Sequence, residues 1–180
     1  SSVLTKRVYY VGWSLLVRIT IRVILNVFMK CNQRKQILYL SKNMSVYKSA
    51  SYQQDVIEEL SRQANVYCYG PGYPEYSAQD SIVDIVARLS ERPDCIVLGH
   101  SWLSDRDGQE VDPHGRLNLR KINVMKVAIL NKEYVNLNQK LQFIKKNGFD
   151  LAFSHHHDVD AYLKQTGVRF YFLPFGFNTR

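Results

Sequence analysis

Residues 150–174 read DLAFSHHHDVDAYLKQTGVRFYFLP, and their pattern predicts the fold class. The first part of this stretch is a short apolar run with the composition of a buried strand. Asp158 is expected to cap a helix that Gly167 closes. The expected elements, in chain order, are strand Leu151–Ser154, helix Val159–Gln165 and strand Arg169–Leu173. A strand, a short helix and another strand in succession predict a parallel βαβ unit.

The same alternation extends back to Gln36. Apolar runs typical of buried strands alternate with segments whose apolar residues recur at helical spacing. The expected strands are Gln36–Leu40, Asn65–Tyr69, Cys95–Leu98 and Lys126–Leu130, and the expected helices are Tyr52–Ala64, Ser81–Leu89 (capped by Asp80) and Leu137–Lys146. A polar loop is expected from Ser104 to about Asn123. We therefore predict an α/β domain over residues 36–180, with a Rossmann-like, doubly wound, mostly parallel sheet and helices on both faces.

Residues 1–35 form a basic, apolar arm ahead of this domain. Residues 1–54 hold nine Lys or Arg side chains and no Asp or Glu, whereas the rest of the chain is nearly neutral despite an overall net charge of +8. If Val8–Met29 form a helix, its polar side chains form one narrow stripe that continues into the next residue. The stripe consists of Ser14, Arg18, Arg22, Asn26 and Lys30. Because the basic charge is confined to the arm, we do not expect a nucleic-acid partner.

Three arrangements of this arm are open. It could lie on an anionic membrane surface through residues 6–35, span the bilayer, or pack on protein. Two central arginines make spanning costly, and they interrupt any signal-peptide core. The three cysteines are an odd number without metal-ligand spacing, so no disulfide framework is indicated. We expect a cytoplasmic protein that is peripherally associated with the membrane.

Three predicted strands end in polar clusters, which supply the candidate functional residues. The carboxyl ends of parallel strands share one edge of the sheet, where open α/β folds bind ligands. The candidate catalytic residues are His155, His156, His157 and Glu133, and the candidate substrate-binding residues are His100, Ser101, Trp102, Asn131, Lys132 and Asp158. Histidine and glutamate suit acid–base catalysis, and tryptophan suits stacking on a sugar ring.

Other roles compete for the same residues. Consecutive side chains on an extended segment point to opposite sides, so at most His155 and His157 share a side. No second ligand pair accompanies them, and we predict neither a metal nor a bound cofactor. The structural alternatives are turn histidines, a solvated loop for Lys132 and Glu133, a helix cap for Asp158 and core packing for Trp102.

Four segments together resemble the N-terminal half of GT-B glycosyltransferases, and most closely the CgeB-like branch. They are YGPGYPEY at 69–76, PDCIVLGHSWLSD at 93–105, KVAILNKEYVNLNQKL at 126–141 and DLAFSHHHDVDAYLKQTGVRFYFLPFGFN at 150–178. The resemblance covers roughly residues 36–178 and implies a Rossmann-like domain on the acceptor side of a two-domain cleft. It further implies that a C-terminal domain binds the donor, a nucleotide-diphosphate sugar, without a bound metal.

The resulting hypothesis is the acceptor-binding half of a glycosyltransferase, which would pass a sugar to a hydroxyl group of a carbohydrate or glycoconjugate. Because the sequence stops at Arg180, where the crossover to a donor domain would begin, we expect no transfer by this chain alone. Two alternatives stay open. One is a noncatalytic α/β module that binds a ligand or a partner protein, and the other is a metal-dependent hydrolase that uses the histidines.

Overall fold

A computed structural model describes residues 34–45, 51–112 and 117–173. The strands are β1 (Gln36–Leu40), β2 (Asn65–Tyr69), β3 (Cys95–Leu98), β4 (Met125–Ile129), β5 (Leu151–Ser154) and β6 (Arg169–Phe172), and the helices are α1 (Ser51–Gln63), α2 (Ile82–Arg88), α3 (Leu137–Asn147) and α4 (Val159–Thr166). They build one sheet of order β2-β1-β3-β4-β5-β6, in which every neighbouring pair is parallel. The predicted Rossmann-like α/β fold is confirmed, while the predicted N-terminal helix lies outside the described residues.

The N-cap of helix α2 lies one residue later than predicted. Its N-cap is Ser81, whose Oγ accepts from the Asp84 N–H at 3.3 Å while the Asp84 carboxylate accepts from the Ser81 N–H at 2.8 Å. The expectation that Asp80 caps this helix was therefore wrong. Asp80 instead accepts from the Tyr69 hydroxyl and pairs with Arg88. A reciprocal capping box satisfies two backbone donors, which a single aspartate ahead of it would not do.

The caps of α3 and α4 agree with the sequence, although both helices extend one residue further than predicted and α1 lies one residue earlier. Asp158 caps α4, and its carboxylate accepts from the Ala161 N–H at 3.4 Å. Helices α3 and α4 both stop at a glycine in the left-handed conformation, Gly148 (φ 65°) and Gly167 (φ 76°). The predicted polar loop contains one element that was not expected, a 3-10 turn over Leu119–Lys121.

The helices lie on both faces of the sheet, as the direction of the chain requires. The chain moves one way from β1 to β2 and the other way from β3 to β6. Because parallel crossovers are right-handed, this reversal puts their helices on opposite faces. Residues of α2, α3 and α4 join one core cluster, and residues of α1 join the other. We call the face of the sheet that packs against α1 the α1 face. Its buried strand residues include Tyr39, Val97, Val127 and Phe153.

The change of direction falls between β1 and β3, which are neighbours in the sheet but not in the chain. Open α/β sheets bind ligands at the carboxyl ends beside such a reversal. Gly99 follows β3 at this point, and a Cβ built on it would lie 2.5 Å from Cε1 and 2.7 Å from the hydroxyl oxygen of Tyr39. Glycine at this position therefore lets the Tyr39 ring pack directly against the backbone.

We expect Gly99→Ala to lower the free energy of unfolding by about 1–3 kcal/mol, the usual cost of extra atoms in a packed core. Tyr39 is 1% exposed, so its ring has no room to move aside. Chemical denaturation measures the change. In a Tyr39→Leu background the same substitution should cost little because the clashing atoms are gone. An equal cost in both backgrounds would argue against this steric explanation.

Candidate functional site

The carboxyl edge of the sheet brings together side chains from β3, β4, β5 and α1. His100, after β3, and His155, after β5, stack with ring centroids 5.4 Å apart and planes inclined by 17°. Tyr52, in the first turn of α1, meets the His100 ring edge-on at 5.2 Å. The Tyr52 hydroxyl lies 3.5 Å from Oδ1 of Asn131, which follows β4. Three of the residues predicted from the sequence therefore share one cluster, and Tyr52 joins them.

His155 is held in one orientation by two hydrogen bonds. Its backbone N–H donates to Oε1 of Glu133 at 2.7 Å, and its ring Nδ1 lies 2.6 Å from the carbonyl oxygen of Leu173. A carbonyl oxygen can only accept, so Nδ1 carries the hydrogen and Nε2 is the basic nitrogen. Burial lowers the pKa of His155 below its ordinary value. The ring is therefore neutral at pH 7, with Nε2 able to accept a proton.

Glu133 connects β4 to β5 through its carboxylate. Besides the N–H of His155, it accepts from the hydroxyl of Ser154 at 2.7 Å. The Tyr162 side chain is also close, and burial together with this carboxylate raises the pKa of Tyr162. Glu133 is 8% exposed. These contacts favour an anchoring role for Glu133, because the oxygens that a general base would use already accept from protein groups.

His100 is the most buried group of the cluster. It is 3% exposed. Burial, together with electrostatic repulsion from His155, lowers the pKa of His100 to about 3. Its Nδ1 atom has no hydrogen-bond partner in the part of the chain that the structure describes, and the same holds for Oε1 of Gln53, the neighbour of Tyr52 in α1. Buried polar atoms normally have a partner in protein, water or ligand. These two atoms therefore favour the binding of a polar group at this edge.

The low pKa of His100 predicts that mild acid destabilises the fold. The unfolded chain binds a proton at His100 near the ordinary pKa of 6.5, and the folded protein only near 3. Between these values the unfolded state holds more protons, so the free energy of unfolding falls as the pH falls. From pH 7 to pH 5, His100 alone should contribute a loss of about 2 kcal/mol. The lowered pKa of His155 acts in the same direction.

Urea unfolding at pH 7 and pH 5 measures this loss, and both values lie above the ordinary pKa of carboxylates. The wild type should lose more stability between the two conditions than His100→Asn does. If both proteins lose the same amount, protonation of His100 is not the cause.

A buried lysine fixes the loops beside the histidines. Lys140 of α3 is 1% exposed, and its Nζ donates to Oδ1 of Asp105 at 2.7 Å and to the carbonyl oxygens of Asn131 at 2.7 Å and Lys132 at 3.3 Å. The Asn131 amide in turn donates to Oδ2 of Asp105 at 2.8 Å. All three ammonium hydrogens are thus used. The network orients the Asn131 side chain at the edge of the sheet.

Lys140, Asp105 and Tyr52 were not among the residues predicted from the sequence. A signal for Lys140 was present, because it lies on the same side of the helix as Leu137, Leu141 and Ile144. A cation within an apolar stripe indicates a buried partner. Asp105 and Tyr52 carried no comparable signal.

The remaining candidates lie outside the cluster or serve the backbone. His156 and His157 are exposed and stack on each other with centroids 4.6 Å apart. Lys132 is exposed with φ 43°, and it takes part in the lysine network only through its carbonyl group. Asp158 is the cap of α4. The structure therefore does not bring these four side chains to the His100–His155 pair.

Ser101 lies beside the end of β1, and Trp102 lies in the core. The Ser101 hydroxyl accepts from the N–H of Lys42 at 3.0 Å and donates to its carbonyl oxygen at 3.4 Å, which ties the loops after β1 and β3 together. Trp102 is 1% exposed and belongs to the core cluster opposite the α1 face. Its packing leaves no ring face for a sugar, so the contacts favour the core role for Trp102.

Nowhere in residues 34–45, 51–112 and 117–173 do three or more His, Cys, Asp or Glu side chains form a group that could hold a metal ion. No helix in those ranges has the length and apolar character that crossing a membrane requires. No protein-family model, curated protein or solved structure matches the chain.

Proposed function

We propose that this chain is the acceptor-binding half of a GT-B-type glycosyltransferase, in which His155 accepts the proton of the acceptor hydroxyl. The observation that carries the proposal is the 2.6 Å contact between Nδ1 of His155 and the Leu173 carbonyl oxygen. This contact makes Nε2 the basic nitrogen of a neutral ring. The ring lies at the sheet edge where open α/β folds bind their ligands.

The proposed reaction needs one proton transfer to this chain. The acceptor oxygen forms a bond to the anomeric carbon of the donor sugar, and the bond from that carbon to the nucleotide diphosphate breaks. The electron pair of the broken bond leaves on the phosphate oxygen, and the hydroxyl proton moves to Nε2 of His155. A positioned base of this kind contributes a factor of about 10²–10⁴ to the rate. The donor would be bound by a C-terminal domain, as the resemblance implies.

The buried polar atoms support a carbohydrate as the ligand. His100, with a pKa of about 3, is neutral at pH 7 and suits hydrogen bonding rather than proton transfer. Nδ1 of His100 and Oε1 of Gln53 lack hydrogen-bond partners among the described residues. The side chain of Asn131 also lies at this edge, where its Oδ1 is 3.5 Å from the Tyr52 hydroxyl. Hydroxyl groups can both donate and accept. A sugar, which carries several of them, matches such a mixed set of polar atoms.

A noncatalytic ligand-binding module is the second candidate. It is favoured because the two charged side chains of the site, Glu133 and Lys140, already form hydrogen bonds with other groups of the protein. Under this alternative the edge binds the same kind of polar ligand, and the basicity of His155 has no role.

Glycan-array binding by the 180-residue chain, followed by calorimetric titration with the best saccharide, tests the proposal. We expect a saccharide to bind and His155→Gln to weaken its binding about tenfold, which corresponds to one good hydrogen bond. His157→Gln is the matched control, because it makes the same change at an exposed position two residues away. The absence of saccharide binding, or equal weakening in the two variants, would contradict the proposal.

A further inference from the structure

The turn after β4 presents one aromatic side chain to solvent. Tyr134 is 84% exposed, the highest value among the large hydrophobic side chains of the described residues. The others that are exposed are Val83, Leu163 and Phe172, at 46%, 41% and 50%. Isolated apolar side chains are ordinary on protein surfaces, so exposure alone does not indicate a role. Tyr134 differs from the other three in the backbone that carries it and in its place beside the candidate site.

Hydrogen bonds fix the backbone around Tyr134. The Val135 N–H donates to the Lys132 carbonyl oxygen at 2.9 Å, which closes a turn with Glu133 and Tyr134 at its centre. The same carbonyl oxygen accepts from Nζ of the buried Lys140 at 3.3 Å. The exposed ring therefore stands on an ordered turn. A ligand that contacts it does not have to order the loop first, which lowers the entropy cost of binding.

One central residue of this turn is buried and the other is exposed. Glu133 is 8% exposed, and its carboxylate accepts from the Ser154 hydroxyl and from the His155 N–H, both at 2.7 Å. Tyr134 follows directly, with its Cα about 3.8 Å from that of Glu133. The exposed ring is therefore carried by the residue next to the one that anchors His155, at the rim of the candidate site.

We propose that the Tyr134 ring is a stacking surface for a second sugar ring, so that the acceptor is an oligosaccharide rather than a single sugar. Because His155 has to bind the first ring, this role of Tyr134 rests on the proposed function. A sugar ring can lay its C–H groups on an aromatic face and keep its hydroxyl groups free for hydrogen bonds. Tyrosine offers a large contact area at a low cost in side-chain entropy. Stacking was expected of Trp102, but that ring is buried in the core, and Tyr134 supplies an exposed one.

Calorimetric titration with the best disaccharide of the glycan array, and with each of its two monosaccharides, tests this role. We expect the wild type to bind the disaccharide about three- to tenfold more tightly than either monosaccharide, the usual gain from one aromatic contact. Tyr134→Ala should remove this advantage and leave the binding of the monosaccharides within about twofold. Tyr134→Phe keeps the ring and should keep the advantage. Val83→Ala shortens an exposed side chain of α2 and should bind both kinds of sugar as the wild type does.

The NMR spectrum of the bound disaccharide reports the stacking itself. Protons that lie over an aromatic face shift upfield. We expect protons of one sugar ring to shift upfield in the presence of the wild type and of Tyr134→Phe, and this shift to be lost with Tyr134→Ala. Since Tyr134 is exposed, its truncation should leave the urea midpoint within about 0.2 M of the wild type. A loss of the shift would then not come from unfolding.

The results separate a failure of stacking from a failure of the proposed function. If saccharide binding requires His155, but Tyr134→Ala binds the disaccharide as tightly as the wild type does, the stacking role is overturned and the proposed function stands. Equal losses in Tyr134→Ala and Tyr134→Phe would also overturn stacking, because they would assign the effect to the hydroxyl group. The absence of saccharide binding by the wild type would overturn both proposals.

Discussion

Replacing His155 with glutamine is expected to slow sugar transfer by a factor of about 10²–10⁴ in the full native protein, if the proposed function is correct. Glutamine can form hydrogen bonds but cannot take a proton at neutral pH. The change therefore removes the base while keeping a polar side chain against Leu173. The measurement is kcat/KM with a panel of nucleotide-diphosphate sugars and the saccharide found by binding.

His157→Gln is again the control, since His157 is exposed and has no contact with His100 or Leu173 among the contacts of the described residues. It should keep kcat/KM within about twofold of the wild type, as is usual for a surface change. The lowered pKa of His155 also means that wild-type activity should persist below pH 6.5 before protonation of the ring removes the base. Saccharide binding with unchanged transfer in His155→Gln would favour a base other than His155, and binding without any transfer would favour the noncatalytic module.

Replacing Lys140 with methionine is expected to lower the free energy of unfolding by about 3 kcal/mol, the lower end of the usual effect of breaking a buried ion pair, because Asp105 is partly exposed. Methionine has a similar length and fills the space, so the loss comes from the partners. Asp105 would lose its cation, and the carbonyl oxygens of Asn131 and Lys132 would lose their donor. Urea or thermal unfolding measures the change.

Lys145→Met provides the comparison, because Lys145 lies on the exposed side of the same helix and its substitution should change stability by less than about 0.5 kcal/mol. A double variant, Lys140→Met with Asp105→Asn, should recover part of the loss, since it removes the unpaired carboxylate. If Lys140→Met is as stable as Lys145→Met, the network contributes little, and Asn131 must be positioned by other contacts.

The strands were predictable because they are short apolar runs between turn signals, and β1, β3 and β5 are buried on both faces. The observed bounds of β1, β2, β3 and β5 are those expected from the apolar runs, and Asp158 was recognised as a cap from its position before a helical segment. The start of α2 was missed because Asp80 and Ser81 are both good caps. The choice depended on Asp84, whose side chain completes the capping box of Ser81.

The candidate site was predictable only in part, for a different reason. Parallel strands end at one edge, so His100, Asn131 and His155 could be grouped from the alternation of elements alone. The contact between Glu133 and Ser154 and the burial of Trp102 depend on side-chain directions that no local pattern contains. Lys140 and Asp105 are 35 residues apart in the chain, so their pairing appears only after folding.

The bond from His155 to a backbone carbonyl has a consequence for how the chain tolerates change. Any amino acid at position 173 offers the same carbonyl oxygen, so single replacements there alter packing without removing the acceptor that fixes the histidine tautomer. The position of residue 173 relative to the strand matters more. Inserting or deleting one residue within β6 would move that oxygen by about 3.3 Å along the strand and turn it to the other side. In related sequences, the length of β6 should therefore vary less than the residue that follows it.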